Sequence, residues 1–119
     1  MATTVNTETL KRLIGEVGED TVSVLLTVFS DELESYQKQL NGEPSLADVR
    51  EISHAIKSSA ASFGADELAE LAQECEARVK SGQEDWMQDH LPEFTEMVQN
   101  VASTYKSLAE HNDFLDSLS

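Results

Sequence analysis

Glu51-Ile52-Ser53-His54-Ala55-Ile56-Lys57-Ser58-Ser59-Ala60-Ala61-Ser62-Phe63-Gly64-Ala65-Asp66 is the stretch around which the chain is organised. On an α-helix, at about 100° per residue, Val49, Ile52, Ile56, Ala60 and Phe63 share one side, an apolar stripe at helical spacing. His54 falls almost opposite. The residues one turn from it are Arg50, Glu51, Lys57 and Ser58, and two turns away lie Ala47 and Ala61. A histidine serving the core would sit on the stripe. This one is predicted to stand in solvent, framed by small side chains and two cations.

An exposed imidazole is a ready nucleophile or proton carrier. Acid–base catalysis needs a partner group and a pocket, and near His54 the sequence offers only Glu51 one turn away, with no adjacent nucleophile. The small residues Ala47, Ser58 and Ala61 predict instead that a large object approaches closely. Lys57 and Arg50 predict that this object, or the group it delivers, is anionic. A phosphoryl group passed to an imidazole nitrogen meets all of these conditions, and the spacing alone leaves open which nitrogen receives it.

The run His54-Ala55-Ile56-Lys57-Ser58-Ser59-Ala60-Ala61-Ser62-Phe63-Gly64-Ala65, followed by Leu68 and Leu71, resembles the histidine-phosphotransfer (HPt) signature. That signature is a His, an aliphatic residue two on, a Lys three on, small residues, and a Gly ten after the His. The wording from Ser58 to Asp66 is similar to the branch of the family that serves quorum sensing. The likeness reaches back through Leu25-Leu26 and Glu34-Ser35-Tyr36 and weakens beyond Glu70. Many members carry Gly four residues after the His; here that position is Ser58, which is also small.

The resemblance implies a phosphorelay intermediate with His54 as phosphoacceptor, through Nε2. One partner would be the receiver domain of a hybrid sensor histidine kinase, and the other the receiver of a response regulator. Mg²⁺ would belong to the receiver, so the chain itself would need no cofactor, bind no ATP and act as a phosphocarrier rather than an enzyme.

The 119 residues predict one domain. Net charge is −15, which argues against nucleic acid or an anionic membrane surface as partner. Most of that acidity reads as solubility. Of the eight basic residues, Lys11, Arg12, Lys38, Arg50, Lys57, Arg78, Lys80 and Lys106, two bracket His54, a placement more informative than the total. The N-terminus lacks the basic start and apolar run of a secretory leader, and no stretch reaches the roughly 20 apolar residues of a membrane span. A lone cysteine, Cys75, permits no internal disulfide. These features predict a cytoplasmic monomer.

Hydrophobic periodicity predicts a short helix from Glu8 to about Val17, ended by Gly18. A longer helix follows, capped by Asp20 and carrying Val22, Leu25, Leu26, Phe29, Leu33, Tyr36 and Leu40. Asn41-Gly42-Glu43-Pro44 reads as a turn, and Ser45 with Asp48 as a capping box opening the His54 helix. Gly64 closes that helix, and Asp66 is expected to cap the next, with Leu68, Leu71, Ala72, Cys75 and Val79 inward. After Ser81-Gly82-Gln83, a helical turn over Asp85–His90 is expected to precede a last helix starting near Leu91, with Pro92 in its first turn and a stripe of Leu91, Phe94, Val98, Val101, Tyr105 and Leu108. Residues 1–5 and 112–119 read as loose, though Phe114, Leu115 and Leu118 could dock the tail. Strand signals are absent. The fold class is all-α: an up-down-up-down antiparallel four-helix bundle with a short extra N-terminal helix, helical over about 8–110.

Each singled-out residue also has a plain reading. Lys57 and Arg50 stabilise a phosphoryl group or are solvated charges. Ser58 is a hydroxyl donor or only a small residue. Gly64 stops a helix, and the resemblance implies that it also leaves room beside the histidine; both readings can hold. His90 and His111 have no partner at metal-ligand spacing, so no metal site is expected. Cys75 reads as a buried thiol, and Trp86 and Met87 as core closure. The competing function is a non-phosphorylated helical adaptor that binds a receiver or kinase domain and would tolerate loss of His54. A histidine general base is a third class, which requires a second convergent polar group.

Overall fold

The computed structural model describes residues 5–111. The expectations for residues 1–4 and 112–119, including Phe114, Leu115 and Leu118, fall outside the described residues. Five helices follow one another: α1 (Thr7–Val17), α2 (Glu19–Asn41), α3 (Leu46–Ser62), α4 (Asp66–Lys80) and α5 (Glu84–Glu110). Helices α2 to α5 form the antiparallel bundle, each packed against its neighbours around the ring, and α1 lies against α2. The described part measures 44 × 23 × 22 Å. None of its helices is long and apolar enough to cross a membrane.

One core fills the bundle. Leu26, Phe29 and Leu33 of α2, Ile52, Ile56 and Ala60 of α3, Leu68, Ala72 and Cys75 of α4, and Phe94, Val98 and Tyr105 of α5 are all buried. These are the stripes read from the sequence, because a helix with one apolar face must cover it. Phe29 lies at its centre, with the rings of Phe63 and Tyr105 each 5.0 Å away. The Tyr105 hydroxyl donates to the Phe63 carbonyl (2.7 Å), which ties α5 to the end of α3. Ser30 and Ser23 of α2 donate to the carbonyls of Ala102 and Ala109 on α5.

The capping box forms as expected. Ser45 Oγ accepts from the Asp48 N–H (3.1 Å) and Asp48 Oδ2 accepts from the Ser45 N–H (3.2 Å). Two other caps differ from the expectation. Gly18, at φ 88°, is at once the C-cap of α1 and the N-cap of α2, so Asp20 lies within the first turn rather than capping it. Likewise Ala65 occupies the N-cap of α4 and Asp66 its first helical position. In both places a glycine with positive φ reverses the chain so sharply that the next helix starts before the acid can cap it. The acids still lie near positive helix ends.

The largest difference is α5. It runs unbroken from Glu84 to Glu110 with Pro92 inside it, rather than as a turn followed by a helix from Leu91. Pro92 leaves the carbonyl of Gln88 without its helical N–H, but Gln88 and Pro92 are both exposed, on the side open to water. Met87 is buried in the same core as Phe94 and Val98. The apolar stripe therefore continues through the proline, and packing on both sides of it holds one helix.

Asn6, which the sequence did not single out, ties α1 to the turn between α3 and α4. Its side-chain oxygen caps α1 through the N–H groups of Glu8 and Thr9. Its backbone N–H donates to the Gly64 carbonyl (2.8 Å) and its Nδ2 to Asp66 (2.9 Å).

Candidate functional site

His54 stands near the middle of α3 with 65% of its side chain exposed, as the periodicity predicts. What periodicity could not show is its partner. Helix α4 runs antiparallel to α3 and brings Glu76 level with it. Glu76 is buried, with only 6% of its side chain exposed. Its Oε2 lies 2.7 Å from His54 Nδ1 and its Oε1 accepts from Lys57 Nζ at 2.7 Å. Lys80, one turn further along α4, places Nζ 3.5 Å from the same Oε2. One carboxylate thus holds three basic groups drawn from two helices.

The electrostatics follow from this arrangement. The hydrogen bond from Lys57 holds the Glu76 carboxyl down at about 2, against the opposing effect of burial, with further help from His54 and the charge of Lys80. Glu76 is therefore an anion that can only accept. The proton between it and His54 must belong to Nδ1, so the neutral ring is the Nδ1–H tautomer. Nε2 then carries the lone pair and is the nitrogen left for a reacting group. Which nitrogen carries the proton in the neutral ring is thus set by a carboxylate on another helix. A shared proton of this kind also orients the ring.

A groove of about 580 Å³ opens beside the ring, lined by Ala47, Arg50, Glu51, His54, Glu76 and Lys80. Ala47, Ser58 and Ala61 are exposed on the same side of α3 as His54. Gly64 is not among them. It is buried, at φ 80°, and a Cβ there would lie 2.8 Å from the Asn6 carbonyl. Its lack of a side chain serves the helix stop and the seat of α1, not the face that carries His54.

The remaining candidates stay apart. Cys75 is buried, and burial pushes its thiol up to about 12, so it is no nucleophile. His90 stacks on Trp86 with ring centres 4.0 Å apart, and His111 is exposed. Among the described residues no group of three or more His, Cys, Asp and Glu is placed to hold a metal ion. The second polar group that sequence reasoning did not find is Glu76. Its signal was weak: one of 23 acidic residues, next to Cys75 on an inward stripe and four before a lysine.

Comparison with known proteins agrees with this fold. The Hpt domain family matches residues 21–104, which contain all four bundle helices in whole or large part. The phosphorelay protein LuxU of Vibrio cholerae serotype O1 is 38% identical over 109 residues, covering 89% of this chain and 94% of that protein. The LuxU of Vibrio harveyi is 42% identical over 96 residues, 78% of this chain and 82% of the relative. That of Vibrio vulnificus strain YJ016 is 48% identical over 80 residues, 65% and 70% of the two chains. No solved structure gives a significant match. With the family matched over most of the chain and the LuxU of Vibrio cholerae alike over 94% of its length, this chain belongs to the Hpt domain family.

Proposed function

We propose that the protein is a phosphorelay intermediate in quorum-sensing signalling and that His54 is its phosphoacceptor. The observation that carries this reading is the exposed imidazole whose Nδ1–H is held by an ionised, buried Glu76. The donor is a receiver-domain aspartyl phosphate on a hybrid sensor histidine kinase, of the kind a LuxU would meet on a LuxN- or LuxQ-like kinase. The later acceptor is the receiver of a LuxO-like response regulator.

In the transfer, the Nε2 lone pair attacks phosphorus in line. The N–P bond forms as the bond between phosphorus and the aspartyl oxygen breaks, and the electron pair leaves with the aspartate carboxylate. The ring keeps its Nδ1 proton and becomes a cation, and Glu76 is the counter-charge that meets it. No proton has to move. Arg50 and Lys57, one turn to either side of His54 along α3, add positive charge around an acceptor that receives a dianionic group. Catalytic Mg²⁺ and its acidic cage belong to the receiver. The chain contributes positioning and charge neutralisation, so it acts as a stoichiometric phosphocarrier without ATP binding or autokinase activity, in the cytoplasm and as a monomer.

Incubation of the full chain with a phosphorylated receiver tests this. The expected product is one acid-labile, base-stable phosphoryl group on His54. An acid-stable label, or a label on Ser58 or another residue, overturns the assignment. Full receiver binding with no label at all would favour the adaptor instead.

A further inference from the structure

The three lysine and arginine side chains near His54 do not stand in equivalent places. Lys57 lies toward the C-terminal end of α3, and its ammonium is tied to Glu76 Oε1 at 2.7 Å with about a third of its side chain exposed. Lys80 lies on the other side. It is half exposed, and its contact with Glu76 Oε2 is looser, at 3.5 Å. The open groove beside the ring is on that second side. Lys80 and Arg50 line it, and Lys57 does not.

We propose, on the reading that His54 accepts a phosphoryl group, that this groove is the seat of the transferred group. Lys80 is the ammonium that meets the phosphoryl oxygens there, while Lys57 is a positioning residue that acts through Glu76. In the resting protein Glu76 Oε2 is shared between the ring Nδ1–H and Lys80. When a dianionic group arrives on Nε2 the ring becomes a cation and strengthens its own hold on Oε2. Lys80, on the longer contact, can turn to the new oxygens while Glu76 keeps Lys57 and the ring. Arg50 is exposed on the same rim and adds charge. Glu51, also lining the groove, opposes it. Lys80, Arg50 and Lys57 together outnumber Glu51 and Glu76, a local positive balance in a chain whose net charge is −15.

The test compares the wild-type chain with Lys80→Ala, Lys80→Arg and Lys57→Ala, using a phosphorylated receiver as donor. It measures both the transfer rate and the ¹⁵N shifts of the unphosphorylated His54 ring. Loss of a partly exposed charge-assisted contact is expected to slow transfer about tenfold in Lys80→Ala, with Lys80→Arg recovering most of the rate and the ring shifts unchanged in both. Lys57→Ala is expected to slow transfer and to move the ring shifts, because Glu76 then loses its firmest anchor. Transfer at the wild-type rate in Lys80→Ala overturns the proposal. So does a slowing accompanied by the same shift change as Lys57→Ala, which would make Lys80 only another support for Glu76. Absence of label on the wild-type chain sinks the phosphoacceptor reading itself, a different result from either.

Discussion

His54 and His90 are alike in a way that makes their difference instructive. Each is a helical histidine whose Nδ1 is engaged at hydrogen-bond distance, 2.7 Å to Glu76 for His54 and 2.8 Å to the Trp86 carbonyl for His90. Each therefore places its proton on Nδ1 and leaves Nε2 uncommitted. The tautomer alone does not distinguish an acceptor from a surface histidine. The partner does. The Trp86 carbonyl is a dipole in the same helix, four residues back, while Glu76 is a full negative charge brought from another helix and held by two lysines. Only the second can balance the positive charge that a ring acquires when phosphorus binds to it. The surroundings differ too. His90 is half covered and stacked on indole, with the Arg78 guanidinium 4.9 Å from the same indole ring. His54 faces a groove.

The widest separation between the two sites is tested by His54→Gln. This variant is expected to lose all labelling from a phosphorylated receiver while its far-ultraviolet circular dichroism matches wild type, because the side chain is mostly exposed and the helix stripe is untouched. Label retained on the variant would mean that another nitrogen, His90 Nε2 being the first to examine, can do the same work without a carboxylate.

Removing the carboxylate tests the reason offered for the difference. Glu76→Ala is expected to lower the transfer rate about 10- to 100-fold, the worth of a charge-assisted hydrogen bond, and Glu76→Gln by less, since an amide oxygen still accepts from Nδ1–H but brings no charge. A Gln variant as slow as the Ala variant would assign the effect to charge alone. The same group sets an acid dependence. Glu76 lies at about 2 in the folded chain against 4.5 for the free side chain, chiefly through Lys57. A carboxyl lowered by folding stabilises the fold above its unfolded value, and that stabilisation is lost as pH falls through the window from 4.5 toward 2. Acid unfolding followed by circular dichroism should therefore be shallower across that window in Glu76→Gln.

Gly64 lies outside both histidine sites, although the family resemblance implied a part for it in leaving room beside His54. Alanine there meets the Asn6 carbonyl and a left-handed backbone, at a cost of roughly 1–2 kcal/mol for the conformation alone. Urea unfolding should show a loss of about that size or more. Transfer per folded molecule should stay within about twofold of wild type, as distant sites act independently. A selective loss of transfer in the stable fraction would return Gly64 to the docking face.

How much of this was legible in the sequence follows from the reach of each signal. Patterns within one helix were readable: the stripe opposite His54, the Ser45–Asp48 box, the small residues at Ala47, Ser58 and Ala61. Patterns between helices were not. Nothing in the spacing of α3 says that Glu76, 22 residues on, stands level with His54; that depends on how tightly Gly64 turns the chain and on the register of two packed helices. The same limit explains Asn6, whose hydrogen bonds reach Gly64 and Asp66. Pro92 misled because local propensity treats proline as an end. Burial of Met87 and Phe94 on either side of it overrode that preference, with the lost hydrogen bond on the wet side of α5.

The smallest expected effect is at His90. His90→Ala removes the ring stacked on Trp86 and the hydrogen bond to its carbonyl, contacts worth about 0.5–1.5 kcal/mol for such a pair and less where both rings are partly wet. The expected result is a small fall in the urea midpoint with phosphoryl transfer unchanged. Because Trp86 is the single tryptophan of the chain, its fluorescence reports the loss of the stacked ring directly and shows that the substitution took effect. A variant whose fluorescence changes, whose fold persists and whose transfer rate still drops would place the α4–α5 end in contact with a receiver, and would break the contrast on which the assignment of His54 rests.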